Sequence, residues 1–401
     1  MLQKIFLFIL FLAAGALSAV GGVYLLGSSP VRFDNPILTT VGVKKAEIVG
    51  FLPYWLLGQA NKDYSQYITT LTYFGLALNS DGSIKKLDNP QEEEPGWTTL
   101  KGDKFGTYLA NAKKQNLKQS LLVISGDDEI IGKMISDPVT SANNLVNDVA
   151  PVMRGQSLPA GRQGFTDLNL DVESFLDASE SARANFTTFV QAVTDRIKSQ
   201  KLGTVTLDLI PIALVRQKLY DARALGSIVD RVVLMTYDYH YTGSLTSGAN
   251  APIGGAGVTL EYDTETAVKE ALKAIPANKI LLGIPLYGYE WETISSAPES
   301  ATIPGGSSIA SSKRVADLLN SCATCSAQLD GIAKEPYLIY SENDYFNQIY
   351  FENEASLKEK IDMAQKYKLG GVALWALGYE DNSMLNPLKI YKNTVDLSNL
   401  Y

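Results

Sequence analysis

Phe165-Thr166-Asp167-Leu168-Asn169-Leu170-Asp171-Val172-Glu173 alternates polar and apolar residues strictly from Asp167 onward. This two-residue period predicts a β-strand with its four polar side chains on one face. Taken alone, the alternation is also typical of a surface strand whose polar face lies in water. Same-face neighbours lie about 7 Å apart along a strand, so the carboxyls of Asp171 and Glu173 can meet. Because two touching carboxyls do not both ionise easily, we expect one to keep its proton and to act as a general acid.

Composition limits the class of partner. The chain has 401 residues, of which 46% are hydrophobic and 19% are charged, and its formal net charge is -8. These values indicate a globular protein, either one large barrel or two ordinary domains. The negative charge argues against nucleic acid or another polyanion as partner and favours a neutral ligand. The oligomeric state stays open.

An uncharged run of 22 residues, Ile5 to Leu26, follows Lys4 near the amino terminus. It is long enough to cross a bilayer as a helix, so residues 1–27 are predicted to be a membrane anchor with the catalytic domain outside the cell. A cleaved signal peptide ending at Ala19, followed by secretion, is the alternative. Residues 28–45 lack periodicity and are predicted to be a linker.

From residue 46 to about residue 395, short apolar runs alternate with amphipathic segments. The pattern predicts eight strands: Ile48–Leu52, Leu71–Leu78, Ser120–Ser125, Asp167–Glu173, Val205–Ile210, Val232–Tyr237, Ile280–Leu286 and Gly371–Leu377. Helices are predicted between them, among others at residues 182–200, 264–275 and 356–367. Eight βα units indicate an α/β fold, a closed (β/α)8 or TIM barrel. An open doubly wound sheet is less favoured, since no Gly-x-Gly-x-x-Gly follows the first strand.

Three segments do not fit the simple repeat. Residues 289–350 are too long for one loop and are predicted to form a small inserted α+β subdomain over the barrel mouth. Residues 157–164 are predicted to be a tolerated loop insertion. Cys322 and Cys325 lack the further ligands that a zinc site needs, and their spacing favours a local disulfide.

The carboxyl ends of barrel strands are where active sites lie. Asp171 and Glu173 end the fourth strand, and Met235, Tyr237 and Asp238 end the sixth. Aromatic residues mark three other strand ends, at Tyr54-Trp55, at Tyr287 to Trp291 and at Trp375. Each ring alone is most simply core packing, whereas their convergence predicts a mouth where rings stack on sugar faces. His240 is predicted to be structural.

Five stretches in order resemble one known family. Asp167-Leu-Asn-Leu-Asp-Val-Glu173 is similar to the strand-four signature of family 18 glycoside hydrolases, the chitinase-like enzymes, which usually reads Asp-Gly-x-Asp-x-Asp-x-Glu. Thr166, Asp167 and Asn169 depart from it, and Asn at the middle position is similar to the chitobiase and spore-cortex branches. The other matches are Leu122–Gly126, Met235–His240, Leu282–Gly288 and Gly370–Trp375, and together the resemblance covers about residues 47–388.

The resemblance implies retaining, substrate-assisted hydrolysis of β-1,4 bonds in N-acetylglucosamine glycans, without metal or cofactor. Glu173 would be the acid, Asp171 and Tyr237 would hold the substrate's acetamido group, and Trp375 would lie under the sugar. Further substrate-binding residues are expected at Asn169, Met235, Asp238 and Tyr54. Chitin and peptidoglycan are both left open as substrates, as are internal and terminal cleavage. A non-catalytic lectin on the same barrel is the alternative function.

Overall fold

The computed structural model describes residues 46–393, except residues 160–163, 324, 343–344 and 382. The strands in chain order are β1 (Glu47–Pro53), β2 (Thr70–Ala77), β3 (Leu87–Asn89), β4 (Glu92–Glu93), β5 (Lys118–Ser125), β6 (Asp167–Val172), β7 (Thr204–Leu209), β8 (Arg231–Leu234), β9 (Ile280–Pro285), β10 (Tyr287–Thr293), β11 (Thr302–Ser311), β12 (Gln328–Leu329), β13 (Pro336–Glu342), β14 (Tyr345–Tyr350) and β15 (Gly371–Trp375). Eight of them, β1, β2, β5 to β9 and β15, form a closed barrel in which every neighbouring pair is parallel. The predicted TIM barrel is thus confirmed.

All the described helices except Ser312–Ser321 pack around the barrel. The helices in chain order are α1 (Pro95–Lys101), α2 (Asp103–Lys114), α3 (Asp128–Ser136), α4 (Pro138–Met153), α5 (Glu180–Ser199), α6 (Ala222–Ile228), α7 (Thr264–Leu272), α8 (Ser312–Ser321), α9 (Glu354–Lys366) and α10 (Asn386–Asn393). Most begin at a short polar residue whose side-chain oxygen accepts a backbone N–H of the first turn, as Ser179 does for α5 and Asp263 for α7. Such caps typically contribute about 1 kcal/mol each.

Strand β6 turns its polar face into the barrel. Leu168, Leu170 and Val172 are fully buried on its outer face, in the same core as Phe189 and Val193 of α5. The alternation of β6 therefore reflects two buried environments, an apolar one under the helices and a polar one inside the barrel. That is the opposite of the surface strand that the same alternation also allowed.

A layer of ionic and hydroxyl groups fills the amino-terminal end of the barrel. Asp167 accepts hydrogen bonds from Ser120 at 2.7 Å, Thr204 at 2.5 Å and Thr206 at 3.1 Å. The guanidinium of Arg231 lies 3.9 Å from Asp167 and also binds Glu47. We call this group the floor layer, and its buried carboxylates are paired, as burial of charge requires.

The insertion follows the seventh barrel strand and forms a five-stranded antiparallel sheet of order β11-β10-β14-β13-β12, with α8 beside it. A disulfide joins Cys322 and Cys325 at the end of α8, as their spacing predicts. Sequence periodicity did not reveal β10 and β11 as strands of this sheet. Trp291 on β10 is fully buried beside Tyr350, so it packs the insertion and does not line the barrel mouth.

Three buried ionisable groups connect the insertion to the barrel. Lys360 of α9 donates to Glu352 at 2.5 Å, and both side chains are fully buried. Glu335, also fully buried, accepts the backbone N–H groups of Asn250 and Ala251, each at 2.8 Å. The ammonium group of Lys360 is thus paired with Glu352, and Glu335 fixes the loop after the sixth barrel strand.

The predicted localisation needs correction. No helix in the part of the chain that the structure describes is long and apolar enough to cross a bilayer. The longest, α5, carries five charged residues in Glu180–Ser199, so its periodicity is that of a helix covering a core. Residues 1–27 and 28–45, on which the anchor and linker were predicted, lie outside the described residues, as do residues 160–163 of the predicted loop insertion.

Candidate active site

A cavity of about 810 Å³ opens at the carboxyl ends of the barrel strands. This volume is large enough for a ligand that consists of several sugar rings. Aromatic and acidic side chains dominate the wall, which includes Phe51, Phe74, Asp171, Glu173, Phe175, Asp208, Met235, Tyr237, Asp238, Tyr239, Tyr241, Glu261, Tyr262, Tyr289 and Trp375. Among the described residues that line it there is no Lys or Arg, so the cavity favours an uncharged ligand or a cationic transition state.

Asp171 and Glu173 lie at the end of β6 and share a side-chain hydrogen bond. Asp171 is buried, whereas Glu173 is half-buried and faces the cavity. Burial raises the pKa of Asp171 well above its usual range, and the neighbouring charges of Glu173 and Asp208 raise it further. Burial also raises the pKa of Glu173. The pair therefore titrates as a unit that holds a proton to higher pH than an exposed carboxyl does.

Contacts on the outer side fix the end of β6. The backbone N–H of Glu173 donates to the carbonyl of Ser125 at 2.8 Å, which continues the ladder to β5 by one residue. The buried hydroxyl of Tyr220 donates to the carbonyl of Val172, and Ser174 donates to Asp128 at 2.6 Å. These bonds orient Glu173 towards the cavity and not towards the helices.

The sixth barrel strand ends earlier than predicted, and this early end creates part of the site. β8 stops at Leu234, because the Thr236 hydroxyl binds the carbonyl of Gly283 at 2.7 Å and the chain leaves the sheet. Gly283 on β9 makes room for this path: a Cβ there would lie 3.0 Å from the Tyr237 ring and 2.5 Å from the carbonyl oxygen of Leu234. Tyr237 thus lies inside the cavity beside the carboxyls.

Asp238 continues this turn in the left-handed region, with φ of 59°. Asn250 supports that backbone conformation by accepting the N–H of Asp238 at 2.8 Å, and Asn250 is in turn held by Glu335. The carboxylate of Asp238 accepts hydrogen bonds from the hydroxyls of Tyr287, at 2.5 Å, and Tyr289, at 2.9 Å. Desolvation raises the pKa of Asp238 although both bonds favour its charged form.

Trp375 at the end of β15 forms an aromatic surface at the base of the cavity. Its ring packs against Phe74, with centroids 4.5 Å apart, and against Phe51 at 5.9 Å. Trp55, which is half-exposed, contacts the same ring at 6.3 Å. Because rings from β1, from β2 and from the helical turn after β1 hold the indole, its face is presented in one orientation.

Six of the eight residues predicted for the site line one cavity: Asp171, Glu173, Met235, Tyr237, Asp238 and Trp375. Asn169 does not; it is buried one layer deeper, and its amide binds Asp208. Tyr54 does not line the cavity either, because its ring lies over Gly75, where a Cβ would come within 2.6 Å of it. His240 is buried against Gly248 and binds the carbonyl of Ala249 at 2.9 Å.

Sequence reasoning missed Asp208, which lies on β7 and lines the same cavity. A signal was available: Thr204-Val-Thr-Leu-Asp208-Leu alternates polar and apolar residues as β6 does. The lower members, Thr204 and Thr206, bind Asp167 of the floor layer, and Asp208 is the upper member of the same inward face. Because β7 was predicted from its apolar residues alone, Asp208 was not recognised as a candidate site residue.

The sequence and the fold of this chain are similar to those of known proteins. Residues 47–380 match the family model described as Glycosyl hydrolases family 18. The cortical fragment-lytic enzyme of Bacillus subtilis (strain 168) is 27% identical over 331 residues, covering 80% of this chain and 67% of that protein. The Group IV chitinase of Ostrinia furnacalis in complex with allosamidin has a TM-score of 0.70 at 22% identity, covering 87% of this chain and 98% of that chain. For the spore cortex-lytic enzyme SleL of Bacillus megaterium QM B1551 the TM-score is 0.66 at 21% identity, with 88% and 75% covered.

Proposed function

Because this chain belongs to glycosyl hydrolase family 18 and is a glycoside hydrolase, we propose that it cleaves β-1,4 bonds of N-acetylglucosamine glycans with retention. The observation that carries the proposal is the pairing of Asp171 and Glu173 beside Tyr237, in a cavity with Trp375 at its base. Acidic and aromatic side chains line the cavity, and an uncharged N-acetylated sugar suits such a lining. The names of two similar proteins, a cortical fragment-lytic enzyme and a chitinase, support the same substrate class.

The proposed first step is cleavage without an enzyme nucleophile. Glu173 gives its proton to the glycosidic oxygen, so that the bond from this oxygen to the anomeric carbon breaks. The carbonyl oxygen of the substrate's 2-acetamido group attacks the anomeric carbon from the other face, and a cyclic oxazolinium ion forms. Glu173 is left as a carboxylate. Its raised pKa favours this role, since an acid that is ionised before substrate arrives has no proton to give.

Asp171 and Tyr237 stabilise the charge that develops on the acetamido group. Asp171 accepts the hydrogen bond of the acetamido N–H, and its negative charge lies beside the positive oxazolinium ring. The Tyr237 hydroxyl donates to the acetamido oxygen and orients it for attack. Trp375 lies under the sugar ring and excludes water from its lower face. In the second step Glu173 takes a proton from water, which attacks the anomeric carbon and opens the ring.

The test is turnover by the purified full chain. Fluorogenic N-acetyl-chitooligosaccharides are expected to release their label, and the Glu173→Gln variant is expected to lose this activity by at least about a thousandfold while binding is retained. The matched control is Glu129→Gln, a change of the same kind at an exposed residue of α3. Binding without turnover by the wild type would refute the proposal and support a lectin on this barrel.

Product analysis decides the substrate within this class. Product lengths on chitin oligomers and on spore-cortex peptidoglycan distinguish the two glycans, and they separate internal from terminal cleavage. Products of one residue or one disaccharide only would indicate terminal cleavage. A spread of lengths would indicate that the cavity accepts the interior of a chain.

A further inference from the structure

Asp208 is a buried acid with no assigned role. It lies on β7 at the position after Leu207, and Leu207 pairs with Leu170 of β6, the residue before Asp171. Asp171 and Asp208 therefore occupy the same level of two adjacent parallel strands, and both line the cavity. Only 2% of Asp208 is exposed. Its Oδ1 has no hydrogen-bond partner among the described residues, and neither has Oδ1 of Asp171.

The surroundings of Asp208 contain little positive charge. The Asn169 amide donates a hydrogen bond to it, and this side chain cannot titrate. The ionisable groups around the two aspartates, from all elements that pack there, are Asp171, Glu173, Tyr220, Tyr237, Asp238 and, below, Asp167 with Arg231. Arg231 binds Glu47 and Thr204 in the floor layer, so its charge is already paired.

We propose that Asp208 is a positioning residue, whose carboxyl beside Asp171 keeps a proton on the Asp171–Glu173 pair at neutral pH. Asp208 acts through Asp171, since two carboxyls at the same level of adjacent strands repel each other when both ionise. Burial raises the pKa of Asp208 itself well above its usual range, while the Asn169 amide favours its charged form. The carboxyls of Asp171, Glu173 and Asp208 therefore share their protons as one group. This inference rests on the proposed function, in which Glu173 must begin as an acid.

The pH dependence of kcat/KM tests the proposal. Asp208→Asn keeps the size of the side chain and removes the charge, so both limbs of the profile are expected to move about one pH unit towards acid. At a pH above the basic limb the rate then falls about tenfold, while KM changes less than about twofold. A second variant combines Asn169→Asp with Asp208→Asn. It has the additional carboxyl on β6, two residues before Asp171, and not on β7. It is expected to move the profile back towards that of the wild type.

A matched control separates charge from folding. Asp167→Asn also replaces a buried inward-facing aspartate, but in the floor layer, so we expect a lower Tm with both limbs unmoved. Unmoved limbs in a folded Asp208→Asn protein would overturn the proposal, as would failure of Asn169→Asp to restore the profile.

Infrared titration of the carboxyl bands of 13C-aspartate-labelled and 13C-glutamate-labelled full chain gives a readout without turnover. Remaining buried carboxyls that ionise at lower pH in Asp208→Asn than in the wild type support the proposal, and unchanged titration overturns it. If the wild type turned over no N-acetylated glycan, the proposed function would fail. The infrared comparison would still decide whether Asp208 raises the proton affinity of the pair.

Discussion

Replacing Glu335 with Gln is expected to change the pH dependence of folding. The carboxyl is fully buried, and its burial together with the nearby charge of Glu352 raises its pKa from 4.5 to about 8. The folded protein therefore binds one more proton than the unfolded chain between these pH values. Since stability rises with pH only where the unfolded state binds more protons, stability here falls as pH rises from about 4.5 to about 8.

The magnitude follows from that interval. At about 1.4 kcal/mol per pH unit, a pKa moved from 4.5 to about 8 corresponds to at most about 5 kcal/mol of stability lost across the window. Gln cannot ionise, so this loss disappears in the variant. Gln also presents an NH2 group to one of the two backbone N–H groups that Glu335 now accepts, which costs about 1–3 kcal/mol at every pH.

Urea unfolding followed by tryptophan fluorescence at pH 5 and pH 8 measures both terms. At pH 5 the Glu335→Gln variant is expected to be less stable than the wild type, and at pH 8 this difference is expected to shrink by several kcal/mol or to reverse. Glu359→Gln, at an exposed position of α9, is the control and should follow the wild type at both pH values. An equal destabilisation by Glu335→Gln at pH 5 and pH 8 would show that this carboxyl does not stay protonated in the folded protein.

Three further predictions concern the site. Tyr237→Phe, which keeps the ring over Gly283, should lower kcat about a hundredfold or more with KM nearly unchanged, as steady-state kinetics would show. Asp171→Asn should lower kcat by a similar factor and move the basic limb of the pH–rate profile to lower pH, because the repulsion between the two carboxyls of the pair, which makes loss of its last proton costly, is gone; an unmoved limb would contradict this. Trp375→Ala should weaken trisaccharide binding by about 1–3 kcal/mol in calorimetry and lower Tm, because Phe51 and Phe74 lose their packing partner; unchanged affinity would remove Trp375 from the binding surface.

The barrel was predictable because its signal is repeated eight times. Each strand is predicted from its own local pattern, so an error in placing one predicted strand does not affect the others. The pair Asp171 and Glu173 was predictable for a similar reason, because its geometry follows from two positions on one strand. Ends of elements were less accessible: β8 stops at Leu234 through a contact between Thr236 and Gly283, which lie 47 positions apart.

Residues whose role depends on a neighbouring strand were also missed. Asp208 became visible as a site residue only when the register of β6 and β7 was known, because its partner Asn169 is on the other strand. The prediction for Tyr54 was wrong for the opposite reason. Its position at a strand end favoured the barrel mouth, but its ring occupies the space that Gly75 leaves open on the neighbouring strand. A glycine on one strand thus decided the direction of a side chain on another.

The floor layer makes the barrel a cup with one entrance. Arg231, Glu47 and Asp167 occupy the end opposite the cavity, so the glycan, the attacking water and both products pass through the same opening. A product that lingers there obstructs the next substrate. The rings at this opening, including Phe175 and Tyr241, which are 63% and 50% exposed, therefore influence departure as well as arrival.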